Sequence, residues 1–565
     1  MSHPQHHGRA ALADIRKQIM WNRLIAVVEE QAMTLLRTAF SPIVRECGDL
    51  SAGVFDRRGR MLAQAVTGTP GHVNSMARSV AHFIRHFPLE TMREGDIYIC
   101  NDPWMGTGHL HDFVLTTPTF HKGKLVALFS CTSHLIDIGG IGFGPDGKDV
   151  FAEGLYIPML KLAEGGRMNE TLLAMVRANS REPVQAEGDV YSLAACNDTG
   201  CERLVEMLEE FGLGDIEELG DYIVDQSRHA VLAEIARLPA GTYRNTMRVD
   251  GYDQELELVA ALTISGDGIH VDYEGTSPVS NYGINVPKTY CEAYTCFGLA
   301  CAIAPTVPNN AGSLSPYRVA APEGCILNAP YPSPVATRHV IGQMLPDVVF
   351  GCLHQAIPGR VPAEGTACLW TLTLGNGRGG NAPRFMVNAV HNGGTGARPT
   401  KDGLSATAYP SGVRGTPAEI TEQTSPLIFW RKELRPDSAG PGRQRGGLGQ
   451  VIEVEHRQGA PFTIWAAFDR IKHPPRGREG GRNGSPGAVG LGDGSRLNGK
   501  GAQEVPPGAR LVVHTPGGAG YGDPRERKAE AVARDLRDGT VTAEAAERDY
   551  GYAVAAREPA GSLSD

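Results

Sequence analysis

The sequence predicts an α+β chain, a mixed α/β protein built from several domains. Three observations carry that prediction. Its 565 residues allow about three or four domains at roughly 100–200 residues each. Helical apolar periodicity marks some stretches and two-residue alternation marks others. Its 70 glycines and 38 prolines exceed the usual combined share of about 12%, which calls for many turns and argues against a helical bundle. The expected organisation is an N-terminal mixed α/β domain over 1–238 that carries the candidate metal ligands, a β-rich middle domain over 239–365, a Gly-rich β domain over 366–524 and a helical docking tail over 525–565.

Residues 12–40 read as one amphipathic helix. Leu12, Ile15, Ile19, Leu24, Val27, Val28 and Leu35 recur near helical spacing, and Asp14 is placed to cap it. SAGVFD and MLAQA, within 45–65, read as two strands joined at Arg57-Arg58-Gly59. His72 to Phe87 is helical again. Ile97 to Cys100 is a short strand that ends in a polar loop, NDPWMGTGHLHD. FVLTTPTF and KLVALFSCTSHL then form strands with His121-Lys122-Gly123 as the turn, and 168–237 is mostly helical and charged. Alternating strands return over 240–280, followed by a helix over 287–304. Residues 305–365 are rich in Pro and Asn, and 366–525 is the most Gly-rich stretch. Helical segments near 525–538 and 542–556 close the chain.

Several function classes are excluded. A net charge of −9 opposes binding to nucleic acid or to an anionic membrane. Aromatic residues are 7%, too few for base-stacking platforms. The longest apolar run, Ala293 to Ala304, is too short for a membrane span. The N-terminus lacks a signal-peptide core, and the 11 cysteines form no CxxC pair, so a cytoplasmic protein with reduced thiols is expected. Gly142 to Lys148 matches GxxxxGK, but Asp149 stands where the magnesium-binding hydroxyl belongs. Gly517 to Gly522 and Gly446 to Gly449 read as backbone-fixing turns, the latter with Arg443 and Arg445 as a possible anion nest. Cys131 reads as core packing despite its closeness to His134.

The strongest chemical cluster is His109-Leu110-His111-Asp112 followed by His134. His109 and Asp112 precede one strand and His134 ends the next, so an antiparallel hairpin brings them together. Two imidazoles and a carboxylate suit a divalent ion such as Zn²⁺, Mn²⁺ or Fe²⁺, with Mn²⁺ or Zn²⁺ favoured. Asp49 can supply a fourth ligand. Asp102, His111 and Asp137 can orient the imidazoles, although Asn-Asp-Pro suits a turn for Asp102. The competing reading is that these histidines cap strands and bond to backbone.

At these residues the chain resembles the hydantoinase B/oxoprolinase family, from about Met20 to Val554. The markers are Glu46-Cys47-Gly48-Asp49-Leu50-Ser51, Asn101-Asp102-Pro103 running to His109-Leu110-His111-Asp112, Ser133-His134 running to Asp137 and Gly140, and Glu153-Gly154 running to Pro158. Pro308 to Gly312, Asp437 to Pro441 with Arg445 to Gly449, and Thr515 to Pro524 follow. Departures are Leu135-Ile136 and Ala519, neither at a candidate ligand. The resemblance implies one subunit, of the N-methylhydantoinase B type, in a two-component ATP-dependent enzyme. ATP and Mg²⁺ would be bound by a hydantoinase A-type partner in a hetero-oligomer such as α2β2. It also implies a metal held by Asp49, His109, Asp112 and His134.

The activity so implied is hydrolysis of a cyclic amide: a hydantoin, 5-oxoproline or a lactam. Phosphorylation of the amide oxygen in the partner creates a reactive imidate, and metal-bound water attacks it. His111 or Asp137 moves the proton. Three alternatives stand beside it: a subunit of an ATP-dependent acetone- or acetophenone-type ketone carboxylase, a non-catalytic scaffold subunit, and non-haem iron oxygenase chemistry.

Overall fold

A computed structural model describes residues 4–66, 69–376 and 385–553. Its first helix, Pro4–Thr38, begins well before Asp14, so Asp14 lies inside the helix and does not cap it. Leu12, Ile15 and Ile19 are exposed, whereas Leu24, Val27, Val28 and Leu35 are buried. The apolar periodicity runs the whole length, but the surface beneath the helix begins only near Met20.

That surface is a seven-stranded antiparallel sheet. Its strands are β1 (Leu50–Phe55), β2 (Met61–Gln64), β3 (Ile97–Cys100), β4 (Asp112–His121), β5 (Lys124–His134), β6 (Leu160–Glu164) and β7 (Arg167–Met168), in the order β2-β1-β5-β4-β3-β6-β7. Helices Pro4–Thr38 and Pro183–Phe211 cover one face, packing Val27 and Leu204 with Val54 and Phe129. Helix Pro70–His86 covers the other, packing Met76 and Phe83 with Phe55 and Leu128. With both faces covered, β1 is buried at every residue. Gly200 lets the upper helix approach closely: a methyl there would lie 2.5 Å from the Phe129 ring.

The β4–β5 hairpin closes at Lys122 and Gly123, with φ of 51° and 77°. A two-residue turn of this kind needs left-handed backbone at both central positions, which the glycine eases. The turn sets the register that pairs Asp112 with His134 at the far end.

The middle sheet holds β8 (Gly241–Val249), β9 (Leu256–Ser265), β10 (Gly268–Asp272) and β11 (Tyr317–Ala320) in the order β11-β10-β9-β8. Helices Lys288–Ile303 and Leu345–Ala356 pack on it. The second of these was not expected in the Pro-rich stretch. Pro346 stands in its first turn, where the missing N–H costs nothing. One continuous core runs from Val231 through this sheet to Val513, so residue 365 falls inside a shared core.

Two four-stranded sheets follow, 386–391, 370–375, 462–467 and 500–505 in one, and 427–434, 450–456, 511–514 and 488–491 in the other. Glycine-rich segments lie side by side nearby. Gly447 N donates to Thr395 O at 2.9 Å, Gly518 N to Gly447 O at 2.9 Å and Gly440 N to Gly518 O at 2.8 Å. Methyl groups at Gly394, Gly446 or Gly518 would collide with neighbouring carbonyls. None of Gly446, Gly447 and Gly449, nor of Gly517, Gly518 and Gly520, takes the left-handed region. The turn reading holds at Gly522, with φ of 74°, and is corrected for the others, which are required by lack of space between neighbouring segments. The anion nest falls with it, because Arg445 pairs with Asp535 and Arg443 with Glu526.

The tail helices Ala529–Arg537 and Ala543–Tyr550 bury Val532, Val541, Ala546 and Tyr550 together. They dock on the Gly-rich part of the same chain, Arg527 bridging Asp402 and Asp535. Residues 554–556 of the expected last helix lie outside the described residues. Among the described residues, no helix is long and apolar enough to cross a membrane.

Candidate metal centre

Asp112 opens β4 and His134 ends β5 as its cross-strand partner. Asp49 directly precedes β1, whose Leu50 pairs with Ser133, and the Asp49 carbonyl accepts from His134 N at 3.3 Å. His109 and His111 sit in the loop that feeds β4. Asn101 fixes that loop: its amide donates to Leu110 O at 2.7 Å and Leu155 O at 2.8 Å, and its oxygen accepts from Ile157 N at 2.6 Å. Asp102 accepts from Trp104 N and Met105 N at 2.8 and 2.9 Å, the turn its Asn-Asp-Pro context suggested.

The donor atoms of His109, Asp112 and His134 lie within 4.8 Å of one another, and all three residues are buried. His109 Nε2 stands 2.8 Å from Asp112 Oδ1, and His134 Nδ1 stands 3.6 Å from the same oxygen. Yet His109 Nε2 and Asp112 Oδ1 have no hydrogen-bond partner. Buried polar atoms are ordinarily bonded. A pair this close but not bonded to each other is what two ligands of one ion present. His109 Nδ1 meets Ala336 O at 2.8 Å. A carbonyl only accepts, so the ring proton sits on Nδ1 and the Nε2 lone pair faces Asp112. The donor set therefore fits a divalent ion.

Electrostatics agree. Burial pushes His109 down to about 3, helped by Arg338 nearby, so it stays neutral and able to ligate. Burial alone would raise Asp112, but the cations beside it, His72 and Arg338, hold it well below the usual carboxylate range. His111 and His339 are pushed well down, mainly by burial.

The structure brings His109, His111, Asp112 and His134 together. His111 stacks on His134 with ring centroids 5.3 Å apart, lies 4.8 Å from the Phe143 ring, and has no hydrogen-bond partner on either nitrogen. Asp49 joins the same cavity, accepting from Thr69 Oγ1 at 3.0 Å. Asp137 is placed differently. Its carboxylate holds the Arg181 guanidinium and Gly139 N, whereas His111, which like Asp137 does not line the cavity, is in ring contact with His109 and His134.

Sequence reasoning missed His72, Arg338 and His339. His72 Nε2 lies 3.0 Å from Asp112 Oδ2. Arg338 reaches the same oxygen and Thr107 O, and lies 4.1 Å from the Tyr290 ring centroid. His339 lines the cavity behind Phe143. None has a spacing signal, because each comes from a separate part of the chain. The cavity itself measures about 30 Å³, room for an ion with a water or two. Lys148, the lysine of the GxxxxGK match, lies 3.2 Å from the Tyr282 ring centroid, and only the short helix Val150–Ala152 follows. Cys131 is buried and donates to Leu193 O at 3.2 Å, as core packing required.

Known proteins share the sequence and fold of this chain. Residues 13–524 match the model of the hydantoinase B/oxoprolinase family, and the chain belongs to that family. The caprolactamase subunit beta of Pseudomonas jessenii is 30% identical over 93% of each chain. The crystal structure of that organism's ATP-dependent caprolactamase superposes with a TM-score of 0.88 at 27% identity, over 97% of each chain. The 5-oxoprolinase 1 of Arabidopsis thaliana is 30% identical over 90% of this chain, which spans only 42% of that longer protein. A nucleotide-free acetone carboxylase structure shares the fold, with a TM-score of 0.82 at 20% identity over 95% of this chain and 80% of that one.

Proposed function

We propose that this chain is the metal-bearing subunit of a two-component, ATP-dependent enzyme that opens cyclic amides. The observation that carries the proposal is the buried His109–Asp112–His134 cluster, with His109 Nε2 and Asp112 Oδ1 unpartnered. Family membership and the likeness to a caprolactamase subunit beta supply the substrate class. The name of that relative implies a second subunit, here a hydantoinase A-type chain that binds ATP and Mg²⁺. A Mn²⁺ or Zn²⁺ ion held by Asp49, His109, Asp112 and His134 would supply a Lewis acid that binds and acidifies water.

The chain's own residues do the rest. An unstrained amide carbon is a poor electrophile, so the partner's phosphorylation of the amide oxygen precedes any step here. Phe143 lines the small cavity beside His109 and His134, so the reactive imidate would meet the ion at the mouth of a cavity with room for little more than the attacking water. His111 is unbonded at both nitrogens and stacks on His134, so it is placed to relay the proton released as water adds to the carbon; burial disfavours its charged form, so it passes that proton on rather than keeping it. That proton goes to the ring nitrogen as the C–N bond breaks, which leaves an acyl phosphate that a second water hydrolyses to the carboxylate and inorganic phosphate. Asp137, bound to Arg181, holds the loop that follows β5 and takes no direct part. Arg338 and His72 hold the Asp112 carboxylate in place.

His134→Ala, assayed with the partner and ATP on a lactam panel, should abolish ring opening while partner binding persists. Near-normal turnover in that variant would sink the proposal. Bicarbonate-dependent turnover of a ketone would replace it with the carboxylase reading.

A further inference from the structure

Leu155 and Ile157 bind Asn101. Glu153, at the start of the same segment, has no role in the account above, yet it is one of the few fully buried carboxyls among the described residues. Its Oε1 accepts two adjacent backbone donors, Val335 N at 2.6 Å and Ala336 N at 2.8 Å. Its slot is tight: methyl groups at Gly283 and Gly147 would lie 3.2 Å from Oε1 and Cγ respectively. Burial pushes its pKa up to about 8 against those two N–H groups, so the acceptor geometry, more than a full negative charge, holds the contact.

Val335 and Ala336 belong to a strap, residues 334–339, with two working sides. On the outer side Asn285 Nδ2 donates to Pro334 O at 2.9 Å, and Thr337 N donates to Gly283 O at 2.7 Å. On the inner side the Ala336 carbonyl meets His109 Nδ1, Arg338 reaches Asp112 and Thr107, and His339 lines the cavity. Ala336 is the pivot. Its N–H is tied to Glu153 and its C=O to a candidate metal ligand. If the strap shifts outward, His109 loses the acceptor that fixes its proton on Nδ1, and its Nε2 lone pair is no longer presented to the ion.

We infer that Glu153 is a positioning residue for the metal centre: by anchoring the 334–339 strap it holds Ala336 O against His109 and so sets that ligand's tautomer and orientation. The inference rests on the metal reading proposed above. Partners that orient a metal-binding histidine are typically worth about 10–100-fold in metal affinity.

The test uses the full chain stripped of metal and titrated with Zn²⁺ against a chromogenic chelator, then with Co²⁺ to record the d–d spectrum. Glu153→Gln keeps an oxygen that can accept from both amides and should bind as tightly as wild type with an unchanged spectrum. Glu153→Asp withdraws that oxygen by one methylene and should weaken binding by about 10–100-fold with an altered Co²⁺ spectrum. Asn285→Ala frees the strap at Pro334 while leaving Glu153 in place. It should shift both readouts the same way, and it serves if the aspartate variant does not fold. Folded Glu153→Asp or Asn285→Ala chains that match wild type in affinity and spectrum would overturn the role. Equal losses in Glu153→Gln and Glu153→Asp would also overturn it, in favour of a charge effect. If wild type takes up neither ion while remaining folded, the metal reading fails and this role fails with it.

Discussion

Replacing Asp112 by Asn keeps the side chain's volume and an oxygen for the Thr107 hydroxyl, which donates to Oδ2 at 2.7 Å, but removes the charge. That charge is fully buried, with His109 Nε2 at 2.8 Å and His72 Nε2 at 3.0 Å. One unit of charge at about 4 Å and an effective dielectric of about 20 is worth about 4 kcal/mol. At about 1.4 kcal/mol per tenfold change, the variant should bind a divalent ion roughly a thousandfold more weakly. The assay is chelator competition with Zn²⁺ or Mn²⁺ on the folded variant, its fold checked by circular dichroism. An affinity within tenfold or so of wild type would refute the claim that this carboxylate is a ligand.

The remaining predictions concern the scaffold and the reaction. Gly518→Ala drives a methyl into the Thr395 carbonyl and should cost about 1–3 kcal/mol or more, read as a lowered thermal midpoint; an unchanged midpoint would contradict the spacing argument. Arg527→Met leaves Asp402 without its ion-pair partner and Asp535 with Arg445 alone and should cost about 3 kcal/mol, the low end for breaking a buried pair, releasing the tail to limited proteolysis. Burial alone would raise Asp402, but Arg527 holds it below its ordinary value. Its contribution is therefore present above the unfolded pKa of about 3.9 and is lost as pH falls through the lower folded value, so wild-type tail protection should persist at pH 5 and fade only in stronger acid. Early loss of protection, near neutral pH, would contradict the pairing. His134→Ala should eliminate ATP-dependent ring opening, as set out above.

The centre of the site was legible because three of its residues belong to one hairpin. His121-Lys122-Gly123 marks the turn, and a turn fixes which residues face each other at the open end, so Asp112 and His134 meet without any further information. Asp49 reaches the same cavity because β1 pairs with β5, outside the close His109–Asp112–His134 donor cluster. His72, Arg338 and His339 were hidden because they arrive from a helix start and from a strap some two hundred residues further on, and no local spacing encodes that meeting. Glycine misled for a related reason. A glycine needed for positive φ, such as Gly123, and one needed for close approach, such as Gly518, look alike in sequence. Only the packing of neighbouring chains tells them apart. The helix Leu345–Ala356 was masked by its own Pro346, which a helix tolerates in its first turn and nowhere deeper. At the N-terminus the periodicity was right and the burial was not, since Leu12, Ile15 and Ile19 continue the helix past the sheet that covers its later turns.

The central claim is that the chain holds a metal through His109, Asp112 and His134. Elemental analysis of wild-type chain isolated with its partner, beside His134→Ala prepared in the same way, tests it directly. The account predicts about one Mn²⁺ or Zn²⁺ per wild-type chain, lost from the variant. A folded wild-type chain with no stoichiometric divalent ion, and full ATP-dependent activity in that state, would contradict it.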